Sequence, residues 1–112
     1  MDKIKEHENF TAAIKSKKRV VLTFFSKEDS CNLKRNCAPV DYGPNTRHGN
    51  TGNDMKPRYH FWDYDSDKEP HVLRILADDI REIEFTNNDF TPNEFIGDFN
   101  VSENPWQILR DW

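Results

Sequence analysis

No apolar run in this sequence approaches the ~20 residues that span a bilayer, so no membrane role is expected. Its opening Met-Asp-Lys-Ile-Lys-Glu-His-Glu is charged and lacks the apolar region of a signal peptide, which makes a cytoplasmic location the expectation. Cysteine is scarce. Cys31 and Cys37 stand six apart, whereas structural zinc takes ligand pairs two to four residues apart, repeated at a second knuckle. His48, His60 and His71 follow but do not complete such a set, so no metal is expected. In a reducing compartment both cysteines stay as thiols. Glycine is also scarce, with four residues, and none forms a phosphate-cradling loop. No His stands beside Cys31 in sequence to activate it. Asp63, Asp65, Asp67, Asp78 and Asp79 fall in or near polar turns, where carboxylates are solvated, whereas acid–base work needs a buried pair with separated pKa values. The expectation is a chain that is not an enzyme and carries no cofactor.

What the sequence does hold is aromatic mass. Eight Phe, three Tyr and three Trp in 112 residues can build a core despite 32% charged residues and a mean hydropathy of −0.96. Each buried aromatic removes roughly 150–250 Å² from water. Disorder is thereby excluded, and the length fits one domain. Net charge is −4, unevenly spread. Residues 1–58 carry twelve Lys/Arg against seven Asp/Glu; residues 59–112 carry four against thirteen. The first half can meet an anion, while the acidic second half weakens non-specific attraction to a nucleic-acid backbone.

The spacing of Phe10, Ala13, Ile14 and Lys17 predicts a helix over residues 3–17, with Asp2 as its N-cap. Lys15, Lys17 and Lys18 then complement the helix dipole. Residues 19–25 form the clearest strand, apolar on both faces: Val20, Leu22 and Phe24 on one, Val21, Thr23 and Phe25 on the other. A second strand is expected over 32–38, with Leu33, Arg35 and Cys37 on one face and Pro39 ending the pairing. Val40 to Tyr42 continues it briefly, and 43–57 reads as a long loop. Strands follow at 58–64, with Tyr59, Phe61 and Asp63 on one face, at 71–76, and at 80–85, the last with the charge of an exposed edge. The tail from 86 is too apolar for disorder. It is expected to cover the barrel and to end in a short helix, with Asn104 as cap, Pro105 in its first position, and Trp106 and Leu109 on one face. One helix, then five or six short antiparallel strands, points to a mainly β fold closed into a small SH3-like barrel. A single domain spanning 1–112 would comprise helix 3–17, barrel 19–85 and covering tail 86–112.

In this order the chain resembles the WYL domain family of bacterial SH3-like or Sm-like barrels. The short helix entering a strand is matched by residues 12–24. An Arg a few residues before a Pro is matched by Arg35 and Pro39. The Trp-Tyr-Leu signature has its nearest match in Tyr59-His60-Phe61, followed by a family-like Asp63-Tyr64-Asp65. Residues 73–84 match the closing pair of strands in outline. The resemblance covers roughly residues 10–90. The signature tripeptide is not literally present, and the family's ligand-facing Arg of the fifth strand falls at Leu76, with Arg74 two positions away. Family members usually follow a DNA-binding winged helix-turn-helix; about ten residues precede the match here, and no such module is expected in this sequence. The resemblance implies a sensing or interaction barrel, in some relatives proposed to bind nucleotides or nucleic acid.

The expected binding group is Arg35, Tyr59 and Arg74 on adjacent strands, beside Tyr42. An Arg fork recognises phosphate or carboxylate with two parallel bonds, and an aromatic ring can stack on a base. Tyr59 serves equally as a core residue with a satisfied hydroxyl. The leading function is a regulatory module binding a small anionic ligand, a nucleotide or a short single-stranded nucleic acid. The rival is a protein-interaction module, homodimeric or docking another protein.

Overall fold

The computed structural model describes residues 2–44, 56–67, 71–99, 101 and 105–112. Helix α1 (His7–Ser16) leads into β1 (Lys18–Ser26), β2 (Cys31–Pro44), β3 (Pro57–Asp63), β4 (Val72–Ile75) and β5 (Ile80–Asp89). The strands form one antiparallel sheet in the order β4-β3-β2-β1-β5. A single 3-10 turn, Ala77–Asp79, joins the two edge strands β4 and β5. This is the mainly β, SH3-like barrel that the strand order led us to expect.

The bend that rolls the sheet up lies in β2. Its first half, Cys31 to Cys37, pairs with β1; its second half, from Cys37 to Pro44, pairs with β3. Pro39 therefore does not end the strand, contrary to the sequence expectation. It faces Phe61 after β2 has left β1, so no second neighbour needs the amide hydrogen that proline lacks. A register shift between Pro39 and Asp41 adds local twist. The expected loop is accordingly shorter than 43–57: Gly43, Pro44 and Pro57 belong to strands, and residues 45–55, with His48, lie outside the described residues.

Helix α1 seals the inner face. Phe10 and Ile14 are fully buried, and the Phe10 ring meets Tyr59 edge-on at 4.9 Å and Phe61 at 5.4 Å. Burying one such side chain contributes roughly 1.5–3 kcal/mol. The helix begins at His7 and not at residue 3, and Asp2 does not cap it. The reason is Ile4, which is buried and whose N–H donates to the Tyr59 hydroxyl at 3.0 Å, pulling residues before α1 off the helical path. At the other end Lys17 adopts a left-handed conformation (φ 59°) and its N–H closes on the Ala13 and Ile14 carbonyls.

The outer face of β2 and β3 holds a second core: Ala38 and Val40 with Trp62, roofed by Phe90, Phe95 and Phe99. Trp62 stacks on Phe95 at 5.6 Å. The 3-10 turns Pro92–Glu94 and Ile96–Asp98 bring Phe95 and Phe99 inward.

Residues 105–112 form no helix; Asn104 lies outside the described residues. Burial alternates strictly, with Trp106, Ile108, Arg110 and Trp112 turned inward and Pro105, Gln107, Leu109 and Asp111 outward. Leu109, expected to share a face with Trp106, is 86% exposed. The segment is irregular, with a bend at Gln107 and Ile108, and this bend turns both amides to one side. The polar anchor of this segment is Asp41. Its carboxylate accepts the N–H groups of Gln107 and Ile108, each at 3.0 Å, and Arg110 Nη2 at 3.2 Å. The Arg110 guanidinium packs against the rings of both Trp106, at 4.3 Å, and Trp112, at 4.6 Å. Burial lowers the Arg110 pKa to about 10, with Asp41 opposing the shift. Gly43 lies close beside it: a Cβ there would stand 2.7 Å from Gln107 Cγ, so that side chain would have to shift.

Candidate ligand-binding cleft

The side chains that alternate along β1, β2 and β3 decide what the barrel interior holds. Val20 pairs with Cys37, and Cys37 with Asp63; Leu22 pairs with Arg35, and Phe24 with Leu33. Arg35 and Asp63 thus stand on the same inward face as the core residues, at the end of the barrel that α1 leaves open. There they meet, with Arg35 Nε 3.4 Å from Asp63 Oδ2. The Asp63 side chain is 3% exposed and that of Arg35 is 34% exposed. Asp63 Oδ1 also accepts the Asp65 N–H at 2.9 Å. Burial pushes the Asp63 carboxyl above its ordinary range, and the Asp65 amide and Arg35 pull it back.

Around this pair opens a cleft of about 660 Å³. One wall is the β1–β2 hairpin, with Phe24, Leu33 and Arg35. The other is β3–β4, with Arg58, Leu73 and Arg74. Lys27 and Asp79 close one side with a 3.5 Å ion pair. Arg74 is in register with His60 and borders the cleft from the β4 edge, while Leu73 is in register with the core residue Phe61. Among the described residues the lining carries four cations (Lys27, Arg35, Arg58, Arg74) and five carboxylates (Glu28, Asp29, Asp63, Asp67, Asp79). It is therefore a charged but not a cationic site. An entering ligand must compete with Asp63 for Arg35.

Of the four residues the sequence nominated, the structure brings Arg35 and Arg74 to this cleft and places the two tyrosines elsewhere. Tyr59 is fully buried. Its hydroxyl accepts the Ile4 N–H and bonds His7 Nδ1 at 2.7 Å. Burial raises the Tyr59 pKa to about 12. Tyr59 is in register with Ile75, whose side belongs to the core, so its ring packs under α1 instead of facing a ligand. Tyr42, in register with Tyr59, donates its hydroxyl to the Asp2 carbonyl at 2.6 Å and packs edge-on against His7 at 4.7 Å. Together they pin the N-terminal segment.

Sequence reasoning missed Arg58 and Asp63. The signal for Asp63 was present: a carboxylate sharing a strand face with Tyr59 and Phe61 needs a buried partner. Arg35, between Leu33 and Cys37 on a like face, is the complementary oddity. Cys37 is fully buried and its thiol is pushed up by burial and by Asp63; Cys31 is exposed. Among the described residues no group of three or more His, Cys, Asp or Glu is placed to hold a metal ion, and no helix is long and apolar enough to cross a membrane.

No family model and no curated protein matches the chain. Among solved structures it is similar to proteasome accessory factor B/C (PafBC) of Arthrobacter aurescens, with a TM-score of 0.54 at 14% identity. The match covers 75% of this chain and 11% of that one. At this identity the likeness shows a common fold, shared with one small part of a much longer protein.

Proposed function

We propose that the chain is a non-catalytic sensing module that binds a small nucleotide in the cleft between the β1–β2 hairpin and β3–β4. The observation that carries this reading is that Arg35, Arg58 and Arg74 all line one cleft, Arg35 from the face it shares with Asp63 and Arg74 from the β4 edge. Its volume of about 660 Å³ falls within the ~300–1,000 Å³ range of small-molecule pockets. Guanidinium groups suit a phosphate through paired, charge-assisted bonds. The five carboxylates argue against a bare polyanion and for a ligand that also donates hydrogen bonds. A nucleotide offers both: phosphate for the arginines, and ribose hydroxyls or exocyclic amines for Asp63, Asp67 or Asp79. A long nucleic acid fits less well, because residues 59–112 are strongly acidic.

A regulatory role accords with the resemblance to WYL domains and with the fold shared with PafBC. Fold alone does not assign function, so the site carries the argument. The absence of catalysis is part of the same proposal: the buried Cys37 thiol is held protonated, and a thiolate is what a cysteine nucleophile requires. A cytoplasmic setting is consistent with the two free thiols.

Isothermal titration with nucleoside mono-, di- and triphosphates tests the reading. Binding should weaken with salt and fall about tenfold or more in Arg74→Ala, as expected for loss of a charge-assisted contact of ~1.5–3 kcal/mol. Arg35→Lys is the companion variant, because Arg35→Ala would also leave buried Asp63 without its cation. No binding by any nucleotide, or binding indifferent to both variants, overturns the reading.

A further inference from the structure

The Asp63 carboxylate is buried at the edge of the cleft and divides its oxygens between two partners. Oδ1 accepts the Asp65 N–H at 2.9 Å, and Oδ2 stands 3.4 Å from Arg35 Nε. The Arg35 side chain is partly exposed and lines the cleft, so a ligand can reach the guanidinium while water scarcely reaches the carboxylate. The charge of Asp63 therefore leans on a cation that the ligand also needs.

The other groups around Asp63 do not replace Arg35. From β2, the Cys37 thiol is held protonated and carries no charge. From the turn after β3, the Asp65 carboxylate disfavours a second negative charge, although its amide favours one. His71, just before β4, favours the charged form, but least of all the groups acting on it. Elsewhere in the lining Lys27 is taken by Asp79 at 3.5 Å, and Arg58 and Arg74 share the cleft with Glu28, Asp29 and Asp67. Burial already lifts the Asp63 carboxyl above its ordinary range, with the Asp65 amide and Arg35 opposing. A phosphate bound at Arg35 withdraws part of that opposition and brings a like charge close. Both effects favour the neutral acid.

We propose that a phosphate entering the cleft takes Arg35 from Asp63, and that Asp63 takes up a proton from solvent in exchange, so that binding strengthens as pH falls. The inference rests on the nucleotide reading of the cleft and adds its regulation: the site responds to ligand and acidity together. As the acid, Asp63 also gains an O–H that a ligand oxygen can accept. The complex holds this proton more tightly than the free protein does. Affinity therefore rises as pH falls through the titration of Asp63 in the complex, and levels off once the free protein is protonated there too.

Isothermal titration of the native chain with AMP, ADP, ATP and their guanosine counterparts, in buffers of different ionisation enthalpy, counts the protons exchanged on binding. The phosphate's own titration near pH ~6 is common to the native chain and Asp63→Asn, so the difference between them isolates Asp63. Relative to the variant, the native chain should take up as much as about one proton per ligand. Its affinity should gain about tenfold or more on the variant's between about pH 8 and about pH 5, since one neighbouring Arg moves a carboxyl pKa by ~1–3. At the alkaline end Asp63→Asn should bind more tightly than the native chain, because no carboxylate competes for Arg35. Carbon-13 NMR of the Asp63 carboxyl in the native chain, free and bound, reads the same proton if the variant does not fold. Nucleotide binding with no proton taken up at Asp63, or with one pH profile for both chains, overturns the inference and leaves the cleft a nucleotide site. Absence of binding by every probe overturns both.

Discussion

Replacing Asp41 by Ala tests the chemistry of the C-terminal segment most directly. The substitution deletes the acceptor of the Gln107 and Ile108 amides and the partner of Arg110. Both ions are buried: the Asp41 side chain is 5% exposed and that of Arg110 is 1% exposed. Removing one partner of a buried pair costs roughly 3–5 kcal/mol, because the other charge is left uncompensated. The Arg110 pKa is already lowered by burial, and Asp41 is the group that opposes the shift. The loss has a ceiling, since the segment can lift off and hydrate the guanidinium, after which no further cost accrues. We expect a loss near the lower figure, about 3 kcal/mol. At roughly 4 °C per kcal/mol for a domain of this size, the thermal midpoint should fall by about 12 °C. Differential scanning calorimetry measures this, and Trp fluorescence reports whether Trp106 and Trp112 become wet before the barrel melts. Asp41→Asn combined with Arg110→Met should be less damaging than the two single changes added together, with a coupling of ~1–3 kcal/mol. An Asp41→Ala midpoint within about 2 °C of native, or zero coupling, refutes the assignment of Asp41 as the anchor.

Three further outcomes follow from particular residues. The Tyr59 hydroxyl already accepts the Ile4 N–H, so its proton is left for His7 Nδ1, which suits a neutral imidazole. Burial, then Lys3, lowers the His7 pKa below its ordinary 6.5. The unfolded chain therefore binds this proton first as pH falls. The His7 contribution is whole above pH 6.5 and is lost below it, so the melting temperature of the native chain should drop across that window more than that of His7→Asn. Lys17→Gly relieves a left-handed residue at the end of α1 and should stabilise by about 0.5–1 kcal/mol in urea unfolding; destabilisation would show that its 3.9 Å contact with Asp111 outweighs the strain. A thiol reagent should titrate one cysteine rapidly, Cys31, and leave Cys37 unreacted until the chain unfolds, which mass spectrometry after timed alkylation will show.

The strands were readable because their residues obey local rules. Residues 19–25 are rich in β-branched and aromatic side chains, and the structure places Val20, Leu22 and Phe24, which share one strand face, in the core. What escaped notice depended on partners distant in sequence. Pro39 reads as a terminator because its missing donor matters only if both neighbours are present, and nothing local says that β2 exchanges one neighbour for another. Residues 105–112 read as a helix from Pro105, although Trp106, Ile108, Arg110 and Trp112 already stood at period two. The alternation was masked by apolar Leu109, which the structure leaves in solvent. Arg35 and Arg74 were visible as cations on strands. Tyr59 stayed open between ligand and core, because an aromatic on an inward face gives no local sign that a helix lies over it; the structure takes the core alternative.

In the register of the sheet, Phe85, Val20, Cys37 and Asp63 stand in one row across β5, β1, β2 and β3. Cys37 is where β2 passes from one neighbour to the other, which makes this row the spine of a half-open book. The cleft walls are its two covers: β1 with the first half of β2 on one side, β3 with β4 on the other. Arg35 and Asp63 bridge the covers just beside the spine. A ligand that draws Arg35 from Asp63 loosens a strut between the covers and replaces it with its own.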